Sequence, residues 1–202
     1  EETKLVSVMY ANNEIGSIQP IKVLSDIAHE KGALFHTDAV QAVGHVDIDV
    51  HSLGIDMLSA SAHKFNGMKG CGFLYVRKGC GVLPYADGGA QESGRRAGTE
   101  NIPGIVAMAA ALKNNYEHLE ENRKKITDLE NEFLHLLTET NISFVRNGGL
   151  HTLPGLISLS FPGADGEAIL HRMDLLGIYI STGSACNSQD TEISHVLKAI
   201  DL

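Results

Sequence analysis

The stretch DMLSASAHKFNGMKGCG, residues 56–72, places a lysine where a buried strand gives way to a glycine-rich turn. The apolar residues up to Ala60 predict the strand, and Lys64 follows it directly after His63. Small residues at 59–62 leave room for a ligand against the backbone. Lysine is used for Schiff bases because its pKa falls readily when the amine is desolvated. Lys64 is therefore a candidate to bind a carbonyl compound, and the alternative is a solvated surface charge.

The segments around this stretch predict an α/β fold with a mostly parallel sheet. Apolar runs rich in β-branched residues predict strands, and a helix fits between Pro20 and Gly32. Strands alternating with helices imply crossover connections and parallel pairing. Ligands of such sheets gather at the carboxyl ends of strands, where Asn13, Asp38 and Lys64 fall. The predicted strands are Leu5–Tyr10, Ala33–Ala39, Ile55–Ala60 and Gly72–Arg77.

The second half of the chain predicts a long helix and a small α/β unit. Apolar residues recur every seven positions between Pro103 and Thr138, which predicts one amphipathic helix. Strands are then expected at 142–147, 156–163 and 178–182, with Asp165 capping a helix between the last two. We therefore predict part of a large domain at 1–103, a connecting helix at 104–140 and part of a small C-terminal domain at 141–202.

Composition argues against nucleic-acid and membrane functions. The 202 residues carry a formal net charge of −9, whereas a nucleic-acid surface needs clustered lysine and arginine. No apolar run approaches the roughly 20 residues of a membrane span. Three cysteines make an odd count without metal-ligand spacing, so we expect free thiols, no metal site and a cytoplasmic location.

Other polar residues could complete a site for an aromatic carbonyl cofactor around Lys64. Asp38 could pair with a ring nitrogen, and Asn13 and Gln41 could bond a ring oxygen. A phosphate would need donors, which Ser61, His63 and the stretch Arg95–Thr99 offer. Each residue also has a plainer interpretation, such as a turn aspartate for Asp38 or a surface loop for Arg95–Thr99.

Four segments together resemble the cysteine desulfurases, which are pyridoxal-phosphate (PLP) enzymes of fold type I in the class V aminotransferase superfamily. The longer SxGSAC form of the last segment resembles group I of the family, which serves iron–sulfur assembly and nitrogen fixation. The resemblance implies an incomplete PLP fold type I large domain followed by a small C-terminal α/β domain. The four segments are HTDAVQA (36–42), SASAHKFNGMKGCGFLYVR (59–77), RRAGTEN (95–101) and STGSACNS (181–188).

The resemblance also implies a role for each matching residue. Lys64 resembles the lysine that binds PLP covalently, and Asp38 resembles the partner of its pyridine nitrogen. Thr99 resembles a threonine that reaches the phosphate of the neighbouring subunit, which implies a homodimer. Cys186 resembles the thiol that attacks the substrate's sulfur. The residues placed near the ring oxygen are Asn13 and Gln41, and those placed near the phosphate are Ser61 and His63, with His63 also among the catalytic groups.

The implied activity is removal of sulfur from L-cysteine, giving alanine and a persulfide on Cys186. The expected recipient is a sulfur acceptor such as an iron–sulfur scaffold protein. The family's chains extend beyond this one at both ends, so we expect a piece of a longer protein. The alternatives are a selenocysteine lyase, a class V aminotransferase, or a non-catalytic truncated remnant that acts as a binding or scaffold protein.

Overall fold

The computed structural model describes residues 2–183 and 194–201. The chain divides into two compact units. The first comprises Glu1–Ala11 and Gln19–Asn122, and the second comprises Asn12–Ile18 and Arg123–Leu202. No helix within the described ranges is both long and apolar enough to cross a membrane.

A four-stranded sheet forms the centre of the first unit. Its spatial order follows the chain, β1-β2-β3-β4. The first three strands are parallel, and the fourth runs antiparallel to the third. This arrangement confirms the predicted α/β fold with a mostly parallel sheet. The strands are β1 (Leu5–Met9), β2 (Leu34–Asp38), β3 (Met57–Ser61) and β4 (Gly72–Val76).

Helix α1 (Ile21–Glu30) connects β1 to β2 and packs on both strands. Its buried residues Ile21, Ser25 and Ala28 recur at helical spacing and form the stripe that faces inward. Pro20 precedes the helix, and Gly32 follows its end with a left-handed φ of 72°. The predicted helix between Pro20 and Gly32 is confirmed.

The two faces of β2 differ in burial because side chains alternate along a strand. Phe35 and Thr37 are fully buried, whereas His36 and Asp38 are only partly buried on the opposite face. The core therefore lies on the side of Phe35 and Thr37, and His36 and Asp38 lie on the other side of the sheet.

The rest of the first unit follows the sheet. A 3-10 turn (Ala62–Phe65) succeeds β3, and a short helical turn, α2 (Gln91–Gly94), lies in the loop beyond β4. Helix α3 (Ile102–Glu117) packs against the 3-10 turn. Asn101 caps α3, since its side chain accepts a hydrogen bond from the Gly104 N–H.

Helix α4 (Leu119–Glu139) begins at the end of the first unit and continues into the second. The second unit also contains a two-stranded antiparallel ladder, β5 (Val145–Arg146) with β6 (Leu159–Ser160). Two helices follow, α5 (Gly166–Leu175) and α6 (His195–Ala199). Asp165 caps α5 by accepting hydrogen bonds from the Glu167 and Ala168 N–H groups, as predicted.

Two expectations for the second half are wrong in detail. The single helix predicted from Pro103 to Thr138 is interrupted at His118, where α3 ends, and the backbone N–H and Nδ1 of His118 both bond the Asn114 carbonyl. The strand predicted at 178–182 is an irregular segment, and it pairs with no other strand in the described residues. The domain boundaries predicted at 103 and 140 stay a prediction.

Candidate functional site

Asp38 ends β2 with its carboxylate only partly engaged. Its Oδ1 accepts a hydrogen bond of 3.0 Å from the Val40 N–H, which fixes the carboxylate at the carboxyl end of the strand. Its backbone carbonyl accepts from the Tyr10 N–H at 2.7 Å. Among the described residues no donor bonds its Oδ2, so this oxygen can accept a proton-bearing group of a ligand.

His36 lies two residues before Asp38 and ties three strands together on the same face of the sheet. Its Nδ1 lies 2.7 Å from Ser7 Oγ, and its Nε2 lies 2.8 Å from Ser59 Oγ. Burial lowers the pKa of His36, and the negative charge of Asp38 offsets this decrease only in part. A neutral imidazole therefore stands beside the aspartate. His36 was not among the predicted site residues, although the spacing His-x-Asp already places both side chains on one face.

Lys64 lies in the 3-10 turn directly after β3, and its side chain is exposed. Within the described residues its amine makes no hydrogen bond or ion pair. Beside it, Ser61 Oγ lies 2.8 Å from His63 Nδ1, so the predicted phosphate donors Ser61 and His63 are brought together. The turn therefore presents a free amine next to a hydroxyl–imidazole pair.

The small residues and glycines around Lys64 serve the turn's own packing. Ala62 is fully buried, and a Cβ on Gly67 would lie 2.8 Å from the Ala62 Cβ. A Cβ on Gly72 would lie 2.5 Å from the Ala60 carbonyl oxygen. These distances are too short for any side chain, so glycine is required at both positions. The prediction that small residues at 59–62 leave room for a ligand does not hold for the buried Ala62.

The remaining predicted site residues are less closely associated. Gln41 is half-buried in the turn after β2, and Thr99 is exposed in the loop before α3. Asn13 is exposed and belongs to the second unit, in a turn where the neighbouring Asn12 side chain accepts from the Glu14 and Ile15 N–H groups. Cys186 lies outside the described residues.

Asp38, Ser61, His63 and Lys64 thus share the carboxyl edge of the parallel strands. Asp38 pairs in register with Ser59 on β3, and Ser61 ends that strand two residues later. Counting only partners within residues 2–183 and 194–201, the set offers a carboxylate with an open oxygen, a hydroxyl–imidazole pair and an unpaired amine. These groups fit the ring nitrogen, the phosphate and the aldehyde of PLP, respectively.

Comparisons with known proteins agree with this chemistry. The family model described as "Aminotransferase class-V" matches residues 1–200. "Cysteine desulfurase IscS" of Dictyoglomus turgidum is 48% identical over 204 residues, which cover 100% of this chain and 52% of that protein.

Two solved structures also resemble this chain. A "NifS-like protein" matches with a TM-score of 0.88 and 39% identity, over 98% of this chain and 52% of its own. A structure titled "SspA in complex with cysteine" matches with a TM-score of 0.80 and 38% identity, over 99% of this chain and 55% of its own. The chain spans about half the length of the curated relatives it matches, for example 52% of the Dictyoglomus protein.

Proposed function

Because this chain belongs to the class-V aminotransferase family, we propose that the protein carrying it is a PLP-dependent cysteine desulfurase. It takes sulfur from L-cysteine, releases alanine and holds the sulfur as a persulfide on Cys186. The observation that carries the proposal is the set Asp38, Ser61, His63 and Lys64 at one sheet edge. The likeness to relatives named cysteine desulfurase gives that set its substrate class.

Each residue of the set has a distinct task. The open Oδ2 of Asp38 accepts a hydrogen bond from the ring N–H, while the bond from Val40 holds the carboxylate in place. Ser61 and His63 donate to the phosphate. When bound, PLP supplies an electron sink for the pair left at the substrate Cα. Lys64 would hold the cofactor through its amine, and the same amine would accept the Cα proton of the substrate.

Cys186 carries the sulfur in this proposal. Its thiolate attacks the sulfur of the substrate, a sulfur–sulfur bond forms, and the bond between that sulfur and the substrate Cβ breaks. The three-carbon fragment keeps the electron pair, takes up protons and leaves as alanine. The role rests on the match of STGSACNS to the family.

The wider setting follows from the same resemblance. We propose a cytoplasmic homodimer in which Thr99 of each subunit reaches the phosphate bound by the other. The sulfur then passes to an acceptor such as an iron–sulfur scaffold protein. The structure titled as a cysteine complex supports L-cysteine as the substrate class.

A pair of variants tests the proposal. Lys64→Ala should abolish alanine release from L-cysteine, whereas Cys186→Ala should retain PLP but form no persulfide. Lys69→Ala removes an exposed lysine of the same connection and should leave both products unchanged. Alanine and protein-bound sulfur are quantified separately for each variant.

Two results would contradict the proposal. Wild-type persulfide formation by the Cys186→Ala variant would exclude the thiol's role. Turnover of selenocysteine but not of cysteine, without persulfide, would favour the selenocysteine lyase. Turnover of amino-acid and keto-acid pairs, without persulfide, would favour the aminotransferase.

A further inference from the structure

Two side chains from outside the 3-10 turn that carries Lys64 donate hydrogen bonds to its backbone carbonyls. The last carbonyls of a helical turn have no partner within it and need outside donors. His45 Nε2 donates to the Lys64 carbonyl at 2.8 Å, and Asn115 Nδ2 donates to the Phe65 carbonyl at 3.0 Å. Two consecutive carbonyls are thus held by side chains from two separate elements.

The two donors differ in their surroundings. His45 lies on the exposed connection between β2 and β3, whereas Asn115 lies near the end of α3 and is only 5% exposed. Asn115 also accepts a hydrogen bond of 3.2 Å from Asn66 Nδ2. Asn66 has a left-handed φ of 67°, a conformation that asparagine tolerates better than most residues. Asn115 therefore fixes both the end of the turn and the residue that leaves it.

Packing leaves this arrangement little freedom. Phe65 is fully buried, and Gly44 passes directly against it. A Cβ on Gly44 would lie 2.8 Å from the Phe65 Cβ and 3.1 Å from Asn115 Nδ2. The backbone at residues 64–66 is therefore fixed by packing as well as by hydrogen bonds.

We infer that His45 and Asn115 are positioning residues for Lys64. The Lys64 side chain has no bonded partner among the described residues, so its main chain alone sets where the amine starts. Fixing the Lys64 and Phe65 carbonyls limits the volume that the amine explores. This inference rests on the proposed function, in which that amine binds PLP.

The test uses two variants of His45 that differ in one property. His45→Gln keeps an N–H donor at the position of Nε2, and His45→Leu keeps bulk but removes the donor. Purified protein is titrated with PLP and treated with borohydride. The Lys64 amine and the aldehyde condense with loss of one water, and borohydride supplies the hydride that makes the link permanent. Peptide mapping then quantifies label on Lys64 and on Lys69.

The hydrogen bond predicts a graded result. His45→Leu should need about three- to tenfold more PLP than the wild type to label Lys64, which is the effect of losing one hydrogen bond. His45→Gln should label Lys64 as the wild type does. Label on Lys69 should be the same in all three proteins. Asn115→Asp, which keeps the acceptor for Asn66 but loses the donor to Phe65, should weaken Lys64 labelling in the same way.

Three outcomes overturn the inference. Wild-type labelling in His45→Leu would show that the bond does not position the amine, and so would equal losses in the Gln and Leu variants. A parallel loss of label on Lys69 would show that the loss is not specific to Lys64. The proposed function fails separately, if PLP does not label Lys64 in the wild type at all.

Discussion

Asp56 is a nearly buried carboxylate with three partners in the first unit. Its side chain is 5% exposed and accepts from the Phe35 N–H at 2.8 Å and from His29 Nε2 at 2.7 Å, while Arg77 Nη1 lies 3.3 Å away. Burial raises the pKa of Asp56, but these hydrogen bonds and the Arg77 charge outweigh burial and lower the pKa overall. The ionised carboxylate is thus stabilised by the fold.

Replacing Asp56 with asparagine should destabilise the protein by about 2–4 kcal/mol, because His29 and Arg77 lose their charged acceptor in a buried place. The free energy of unfolding in urea measures the loss. Asp26→Asn, on the exposed face of α1, removes only a surface pair with Lys22 and should cost no more than about 0.5 kcal/mol. Equal losses in the two variants would contradict the role of Asp56.

His36 should make stability depend on pH below its ordinary pKa. Its folded-state pKa is lowered by burial, so the unfolded chain binds the proton more tightly. The stability it contributes is fully present above the ordinary histidine pKa of 6.5 and is lost as pH falls below it. The free energy of unfolding should therefore fall more steeply from pH 7.5 to pH 5.5 in the wild type than in His36→Gln. His171→Gln, at an exposed position on α5, should keep the wild-type slope.

At this scale the sequence indicated candidate site residues but not the residues that hold the backbone around them. Lys64, Asp38 and the Ser61–His63 pair stand in segments whose residue types indicate cofactor binding, and their roles stay a prediction. His45, Asn115 and Asp56 do not, because each acquires its role only from a partner that is distant in the chain.

In the connection between β2 and β3, the glycine before His45 leaves no room for a side chain. Gly44 has a left-handed φ of 81°, and Gly32 has a similar φ of 72° in open space. Gly32→Ala should cost about 1–2 kcal/mol from backbone strain alone. Gly44→Ala should cost about 1–3 kcal/mol more, because its Cβ would overlap Phe65. Thermal unfolding of both variants separates the effect of backbone strain from the effect of the overlap with Phe65. Equal losses of stability would show that Phe65 moves aside freely.

In the second unit, α4 is joined to the strand ladder by a partly buried ion pair. Arg146 Nη2 on β5 donates to Glu130 Oε1 and, at 3.0 Å, to Thr152 Oγ1. The Gly155 N–H donates to Glu130 Oε2 at 2.6 Å. One carboxylate on α4 therefore orders both β5 and the loop that precedes β6.

Glu130→Gln should destabilise the protein by about 2–4 kcal/mol, since Arg146 would keep its charge without a buried counter-charge. Glu132→Gln, two residues along α4 and exposed, is the matched control and should change stability by less than about 0.5 kcal/mol. Chemical denaturation measures both. A loss in Glu130→Gln no larger than in the control would mean that Arg146 finds another acceptor.

The elements of the first unit could be predicted because burial gave them a clear pattern. All four strands and α1 fall within two residues of their predicted bounds at each end. The segment 178–182 has the same β-branched composition, yet Tyr179 is 85% exposed and no strand bonds it in the described residues. Composition alone does not supply a pairing partner, and that is why the strand prediction failed there.

For the 202 residues as a whole, we expect net charge to govern solubility. The net charge is −9 at pH 7 and the pI is about 5.5, while the loop side chains Leu83 and Tyr85 are almost fully exposed. We expect minimum solubility near pH 5.5, where repulsion between molecules vanishes. Turbidity between pH 5 and pH 8 measures it. A double variant with serine at both positions should precipitate less at the same pH. Unchanged turbidity would exclude this loop as the site of contact between aggregating molecules.

The first unit's sheet has two chemically different edges. The groups proposed to bind PLP lie at the carboxyl edge, whereas Asp56 and its partners His29 and Arg77 gather at the opposite edge of β3. Stabilising mutations around Asp56 and mutations that change reactivity around Lys64 could therefore be selected in separate libraries. The selected mutations could then be combined, and we expect their effects to be nearly additive.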